Sequence, residues 1–277
     1  MWPMSGAPGE PATSAADVRL VRSADGTRIA IERVSRGGPA LVMVPGATNP
    51  RGAWAGVARR LADSFSCWLM DRRGKGDSTD TEPYALEREY EDIAAVVASV
   101  ERPVTLAAHS SGAICALGAA LGGVSLTGLV LYEPPWPVRG SNPGVARLDE
   151  VDEHLRRGDR DGALELALGV LVGYTAEAVA ELRRTPNWHV RTALVHTWPR
   201  EVRALERLPR AVDVLTAIAV PTLLLRGELT SPALSDATAA IAATIPSATA
   251  VELPGQGHAA LALAPHLVAD AIRSWSA

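Results

Sequence analysis

Short apolar runs alternate with helix-length segments over most of this 277-residue chain. The apolar runs are 40–44, 67–70, 104–108, 126–132, 221–225 and 248–253, and the helix-length segments are 51–62, 84–100, 111–122, 233–245 and 264–275. A parallel strand is buried on both faces, and a crossover helix returns the chain to the start of the next strand. The pattern therefore predicts an α/β fold with a mainly parallel, doubly wound sheet covered by helices on both faces.

Residues 18–34 read VRLVRSADGTRIAIERV and alternate apolar with polar side chains on both sides of Asp25-Gly26. Alternation around an Asp-Gly pair is typical of a β-hairpin. We therefore expect two antiparallel strands before the parallel part of the sheet.

The alternation of strands and helices stops over residues 135–217, where the periodicity is helical and prolines punctuate it. This predicts a helical cap inserted into one α/β core, with core parts at 17–134 and 218–277 and a disordered tail at 1–16. The cap contains twelve arginines and twelve acidic residues, so its charges cancel and favour an uncharged substrate. Its large apolar side chains, Trp136, Trp188 and Trp198, are candidates for walls of the substrate pocket, with packing between cap helices as the alternative.

Composition excludes several kinds of partner. The net charge is -4 and shows no basic surplus, so we expect no nucleic-acid partner. No run of ~18 apolar residues occurs, so we expect no membrane span. The first residues lack the basic and apolar parts of a signal peptide, which favours a cytoplasmic protein. The sequence leaves the oligomeric state open.

The stretch VTLAAHSSGAICALG begins as a strand at Val104 and continues as an alanine-rich helix after two serines. A serine exposed at a tight strand-to-helix turn needs small residues two places before and after it. Ser110 meets this condition with Ala108 and Gly112, whereas Ser111 has His109 two places before it. We therefore predict Ser110 as a nucleophile, with a helix N-cap as the alternative role.

A serine nucleophile needs a base, an orienting acid and donors for an oxyanion. His258, in the loop after the last predicted strand, is preceded within three positions by Gly255 and Gly257 and is the predicted base. His109 adjoins Ser110, but its side chain is expected to point elsewhere. The backbone N–H groups of Ala47 and Ser111 are the predicted oxyanion hole, with an ordinary glycine turn as the alternative role of the Ala47 loop.

Several motifs together resemble the α/β-hydrolase family over the whole chain. They are VPGATNP (44–50), MDRRGKGDS (70–78), AHSSG (108–112), LYEPP (131–135) and LPGQGHAA (253–260). Two positions depart from the usual family pattern, because Pro45 replaces a histidine and Ala108 replaces the first glycine of the serine motif. Neither replacement removes a backbone N–H that the chemistry needs.

The resemblance implies an acid after the penultimate strand, in a Gly-x-x-Asp pattern, but here Thr230 occupies the aspartate position. Glu228 and Glu133 are the two candidates to replace it. Glu133 follows a strand in the motif LYEPP, where some capped lactonases and haloalkane dehalogenases of the family place their acid. We predict Glu133 as the triad acid and keep Glu228 as the alternative.

These residues predict a serine hydrolase that cleaves an uncharged carboxylic ester or lactone through a Ser-His-Glu triad. No cofactor is required, and no His-Glu-x-x-His or paired Cys-x-x-Cys motif indicates a metal site. Acyl transfer or cyclisation by the same triad is an alternative activity. A ligand-binding homologue without fast turnover is the alternative from a different functional class.

Overall fold

A single sheet of eight strands crosses the part of the chain that the computed structural model describes, residues 17–138, 140, 143–185 and 187–276. The strands are β1 (Asp17–Arg22), β2 (Arg28–Arg33), β3 (Ala40–Val44), β4 (Ser66–Met70), β5 (Val104–His109), β6 (Gly128–Tyr132), β7 (Thr222–Gly227) and β8 (Ala248–Leu253). Their order is β1-β2-β4-β3-β5-β6-β7-β8. The contacts of β2 with β1 and β4 are antiparallel, and the remaining pairs are parallel. The predicted mainly parallel, doubly wound α/β fold is confirmed, and the predicted tail at 1–16 lies outside the described residues.

The helices largely follow the predicted segments. They are α1 (Ala55–Arg60), α2 (Leu86–Ser99), α3 (Ser111–Leu121), α4 (Leu148–Arg156), α5 (Arg160–Ala167), α6 (Ala176–Arg183), α7 (Asn187–Leu194), α8 (Trp198–Leu205), α9 (Pro232–Thr244), α10 (Ala260–Leu263) and α11 (Pro265–Trp275). The predicted helix 51–62 is instead a 3-10 turn, Arg51–Trp54, followed by the short α1. Gly52 and Gly56 lower the helix propensity of this segment.

Alternate residues of the central strands face two separate hydrophobic layers. In β3, Val42 and Val44 pack into the layer formed with α2, α3 and α9. Leu41 and Met43 point the other way, into the layer formed with α1 and α11. Because both faces of the sheet are covered at its centre, every residue of β3, β4, β5 and β6 is buried, which explains the apolar runs in the sequence.

All described regular elements between β6 and β7 are helical. They include α4 to α8 together with 3-10 turns and one π turn, and we call residues 135–217 the cap. The cap has its own hydrophobic cluster, which includes Leu148, Leu164 and Val195, and Ala47 of the loop after β3 packs against it. The cap therefore lies over the carboxyl ends of the central strands. Among the described residues, no helix is both long and apolar enough to span a bilayer.

Candidate active site

Ser110 lies at a sharp turn between β5 and α3. Its φ is 54° and its ψ is -128°, a backbone conformation that is strained for a residue with a side chain. A Cβ atom added at Gly112 would lie 2.4 Å from the Pro45 carbonyl oxygen, and one added at Gly46 would lie 2.9 Å from Ser110 Cβ. The small residues near Ser110 are therefore required because the loop after β3 packs directly against the turn.

His258 connects Ser110 to Glu133. The Ser110 hydroxyl donates to His258 Nε2 at 3.0 Å, and His258 Nδ1 donates to Glu133 Oε2 at 2.5 Å. Ser110 and His258 are partly exposed, whereas Glu133 is fully buried. The structure thus brings together the side chains that the sequence predicts as nucleophile, base and acid.

The two candidate acids have different surroundings. Glu133 directly follows β6 with a φ of 47°, and its Oε1 accepts the N–H of Gly227 at 2.7 Å. This backbone hydrogen bond fixes the carboxylate and leaves Oε2 for His258. Glu228 is exposed and accepts the N–H of Gly255 at 2.7 Å. Of the two carboxylates, it is Glu133 that contacts His258.

The amides predicted as the oxyanion hole belong to the two segments that meet at Ser110. Ser111 is the first residue of α3, and the first N–H groups of a helix have no acceptor within it. Ala47 follows Gly46, whose backbone lies against Ser110. The side chain of Asn49 donates to the Ala47 carbonyl at 3.0 Å and holds this loop in a tight turn. Oxyanion binding by these amides remains a prediction.

A buried ion-pair network, formed by Arg72, Lys75, Glu89 and Glu201, ties Ser111 to the cap. Arg72 donates to Ser111 Oγ at 2.8 Å and forms a bidentate pair with Glu89 at 2.6 and 2.8 Å. Glu201 of α8 lies 2.9 Å from Arg72 and accepts from Lys75 Nζ at 2.5 Å. None of the four side chains is more than 2 % exposed. Two positive charges and two negative charges are therefore balanced beside the start of α3.

Two residues that the sequence analysis did not select hold the His258 loop. His109, the last residue of β5, donates from Nε2 to the His258 carbonyl at 3.1 Å, and the two ring centroids are 4.5 Å apart. Tyr132, the last residue of β6, donates to the Gly257 carbonyl and accepts the Ala260 N–H at 3.3 Å. Both lie at strand ends directly before a predicted site residue, which is the signal that could have identified them.

The expectation that His109 points away from the site is wrong. Its ring is packed against His258 because β5 and β6 deliver His109 and Tyr132 side by side at the edge of the sheet. Burial lowers the pKa of His109 well below its usual range, and the charges of His258 and Arg191 act in the same direction. His109 is therefore neutral, with its proton on Nε2.

The three tryptophans predicted as pocket walls are almost fully buried. Trp136 is 5 % exposed, lies in the layer with α2 and α3, and donates to the Pro209 carbonyl at 2.9 Å. Trp188 and Trp198, 1 % and 6 % exposed, belong to the hydrophobic cluster of the cap, and Trp188 donates to Asp161 at 2.5 Å. This burial favours the packing alternative for all three side chains.

The arrangement of Ser110, His258 and Glu133 suits nucleophilic catalysis. Glu133 holds the proton of His258 on Nδ1, so Nε2 can accept the proton of the Ser110 hydroxyl. Within the described ranges, no group of three or more His, Cys, Asp or Glu side chains is arranged to hold a metal ion.

The chain is similar to several proteins of known family or structure. A model of the alpha/beta hydrolase family matches residues 41–271. The chain is 33 % identical to pimeloyl-[acyl-carrier protein] methyl ester esterase of Stenotrophomonas maltophilia over 236 residues, which are 80 % of this chain and 86 % of the relative. It is 38 % identical to N-formylmaleamate deformylase of Pseudomonas putida over 117 residues, a match that spans 44 % of the deformylase and 41 % of this chain. The solved structure of an alpha/beta hydrolase from Sphaerobacter thermophilus is 35 % identical, with a TM-score of 0.83 over 94 % of this chain and 100 % of the other.

Proposed function

This chain belongs to the alpha/beta hydrolase family, and we propose that it cleaves a carboxylic ester or lactone through a Ser110-His258-Glu133 triad and a covalent acyl-enzyme. The observation that carries the proposal is the continuous hydrogen-bond chain through His258, at 3.0 Å to Ser110 and 2.5 Å to Glu133. The methyl ester esterase that is 33 % identical to this chain supports ester hydrolysis as the class of reaction.

In the first half-reaction, Ser110 Oγ attacks the substrate carbonyl carbon while its proton moves to His258 Nε2. The carbonyl oxygen becomes an oxyanion, which the N–H groups of Ala47 and Ser111 stabilise. Glu133 stabilises the imidazolium that forms. The carbon–oxygen bond of the ester then breaks, and the departing alkoxide takes the proton from His258.

In the second half-reaction, water takes the place of the alcohol. His258 Nε2 accepts a proton from the water as the water oxygen attacks the acyl carbon of the Ser110 ester. The same amides hold the second oxyanion. When the bond to Ser110 Oγ breaks, His258 returns the proton to the serine, and the carboxylic acid product leaves.

A fluorophosphonate probe combined with esters of p-nitrophenol tests this proposal. We expect rapid labelling of the protein, with the adduct on Ser110 by peptide mass spectrometry, and steady turnover of p-nitrophenyl butyrate. Ser110→Ala should abolish both signals. Ser111→Ala is the matched control because it keeps the backbone N–H of residue 111.

Other outcomes of the labelling and turnover assays would contradict the proposal. An adduct on Ser111 would overturn the assignment of the nucleophile. Labelling of Ser110 with a single burst of p-nitrophenol and no turnover would contradict hydrolysis, and product formation that requires an added alcohol or amine would identify acyl transfer instead. Absence of both labelling and turnover would favour a ligand-binding homologue.

A further inference from the structure

Arg191 reaches from the cap to the loop that carries the predicted oxyanion donor. It lies on α7, and its Nε donates to Thr48 Oγ1 at 3.0 Å, although the two residues are 143 positions apart. Thr48 is fully buried and follows Ala47 directly. The guanidinium is therefore held at the boundary between the cap and the triad, one residue from the amide assigned to the oxyanion.

Among the residues that the structure describes, this guanidinium has no counter-ion. No carboxylate of the described residues forms an ion pair with Arg191, and within the same residues the hydrogen bond to Thr48 is the one its side chain makes. A guanidinium carries five N–H donors, so most of them stay available for another acceptor.

Arg191 differs from the other described cap arginines because it is partly buried and also lacks a carboxylate partner among the described residues. Several of these form ion pairs: Arg147 with Glu150, Arg200 with Asp80 and Glu82, and Arg203 with Asp149 and Asp152. Arg160, Arg184 and Arg207, for which no carboxylate partner is found in the described ranges, are exposed, and water solvates their charges. Arg191 is only partly exposed, and burial lowers its pKa.

Arg191 lies close enough to the active site to affect the pKa of a residue there. Burial is the main cause of the low pKa of His109, and the charge of Arg191 lowers that pKa further; the His109 ring packs against His258. The hydrogen bond to Thr48 places Arg191 on the cap side of the loop that packs against Ser110. A partly buried cation without a counter-ion is unfavourable in the free protein and suits an anionic ligand.

We propose that Arg191 binds a carboxylate of the substrate, so that the hydrolysed compound is an ester or lactone that carries a carboxylate a short chain away from the scissile carbonyl. The planar guanidinium matches the two oxygens of a carboxylate, which Lys would not do in the same way. This inference rests on the proposed ester hydrolysis at Ser110. This proposal differs from the sequence-based expectation of an uncharged substrate. The cap contains equal numbers of basic and acidic residues, but none of the described carboxylates pairs with Arg191.

Monomethyl and dimethyl esters of succinate, glutarate and adipate provide matched anionic and neutral substrates for the test. The measured quantity is the ratio of kcat/KM for the monoester to kcat/KM for the diester of the same chain length. A second set, acetate esters of short hydroxy acids and of their methyl esters, places the carboxylate on the alcohol side. We expect the wild-type enzyme to prefer the anionic member of at least one pair.

The variant Arg191→Gln should lower that ratio by about 10- to 100-fold, the scale of a lost hydrogen-bonded charge, chiefly through KM for the monoester. Arg191→Lys should recover part of the preference because it restores the charge without the planar fork. Arg207→Gln removes the same charge from an exposed cap position and should leave the ratio unchanged. The fluorophosphonate labelling rate reports whether the Arg191 variants retain a folded site.

Equal losses on monoesters and diesters in Arg191→Gln would mean that Arg191 holds the cap on the Thr48 loop, and would overturn the proposal. A wild-type enzyme that prefers every diester would overturn it as well. In both cases Ser110-dependent hydrolysis of the neutral esters would leave the proposed function intact. If no ester of either kind is hydrolysed, the proposed function itself fails.

Discussion

Glu133 Oε2 lies 2.5 Å from His258 Nδ1, although the two residues are 125 positions apart in the chain. The contact depends on the positive φ of Glu133 at the end of β6 and on the N–H of Gly227, which holds the other carboxylate oxygen. The neighbouring strand β7 therefore orients the acid that β6 carries.

Replacing each candidate acid by its amide should show which of Glu133 and Glu228 belongs to the triad. In Glu133→Gln, the amide cannot stabilise the imidazolium and favours the wrong tautomer of His258, so kcat should fall by up to ~10⁴-fold. Glu228→Gln should change kcat little, because Glu228 is exposed and accepts from Gly255. Steady-state kinetics on p-nitrophenyl butyrate, with circular dichroism as the folding control, measures both. A large loss confined to Glu228→Gln would identify it as the acid.

The side chain and the backbone of Ser111 should have separable roles. Ser111→Ala keeps the N–H group but removes the oxygen that accepts from Arg72 at 2.8 Å. We expect kcat/KM within about tenfold of the wild-type value and a free energy of unfolding lower by about 1–3 kcal/mol, the cost of a buried donor left without its acceptor. Urea unfolding and ester kinetics measure the two effects. A loss of activity as large as that of Ser110→Ala would contradict this separation.

Glu201 should stabilise the fold through the ion-pair network. Glu201→Gln leaves Lys75 and Arg72 without a shared counter-charge, so the free energy of unfolding should fall by about 3–5 kcal/mol. The double variant Lys75→Met with Glu201→Gln removes one charge of each sign and should recover part of this loss. Urea unfolding of the three proteins at pH 7 is the measurement. A double variant less stable than Glu201→Gln would show that charge balance is not the cause.

The lowered pKa of the Glu201 carboxylate should make the protein less stable in acid. Burial alone would raise the pKa of Glu201, but the charges of Arg72 and Lys75 outweigh it and lower the pKa to about 2. A lowered pKa contributes stability above its ordinary value of 4.5, and this contribution disappears as the pH falls toward 2. The wild-type protein should therefore lose more stability than Glu201→Gln between pH 5 and pH 3, as measured by thermal unfolding. Equal losses would contradict the assignment.

His109 should make stability depend on pH near neutrality. Its pKa in the folded protein is well below the ordinary value of 6.5, so below pH 6.5 the unfolded chain binds a proton that the folded chain does not. The free energy of unfolding should then fall with decreasing pH, by at most about 1.4 kcal/mol per pH unit for this one group. His109→Gln keeps a donor for the His258 carbonyl but removes the titration. Urea unfolding at pH 7.5 and 5.5 should therefore show a smaller difference for the variant than for the wild type.

Trp188 should contribute to stability rather than to substrate preference. It is 1 % exposed within the cap cluster, so Trp188→Ala should lower the free energy of unfolding by about 3–5 kcal/mol. The relative kcat/KM values for p-nitrophenyl esters from acetate to octanoate should stay unchanged. A shifted chain-length profile would instead support the sequence-based expectation that a cap tryptophan forms a wall of the pocket. Trp136→Ala, measured in parallel, extends the test to the other hydrophobic layer.

The sequence by itself determined the features that depend on neighbours along the chain. The period-two pattern around Asp25-Gly26 identified the hairpin, and the alternation of apolar runs with helices identified the parallel sheet, because strand burial and crossover helices leave local signals. The turn at Ser110 could also be predicted, since the small residues Ala108 and Gly112 are required within two positions of it. The central parallel strands are buried on both faces, so each appears in the sequence as a short apolar run.

Tertiary structure decided which distant groups meet. The sequence predicted Glu133 as the acid with Glu228 as the alternative, and the tertiary structure brings Glu133 to His258, with β6 and β7 as neighbours in the sheet. The contact of Arg191 with Thr48 depends on how α7 packs over the loop after β3. Equal numbers of charges in the cap sequence gave no sign that Arg191 lacks a carboxylate partner among the described residues, because electrostatic energy depends on the distances and burial of individual charges and not on their sum.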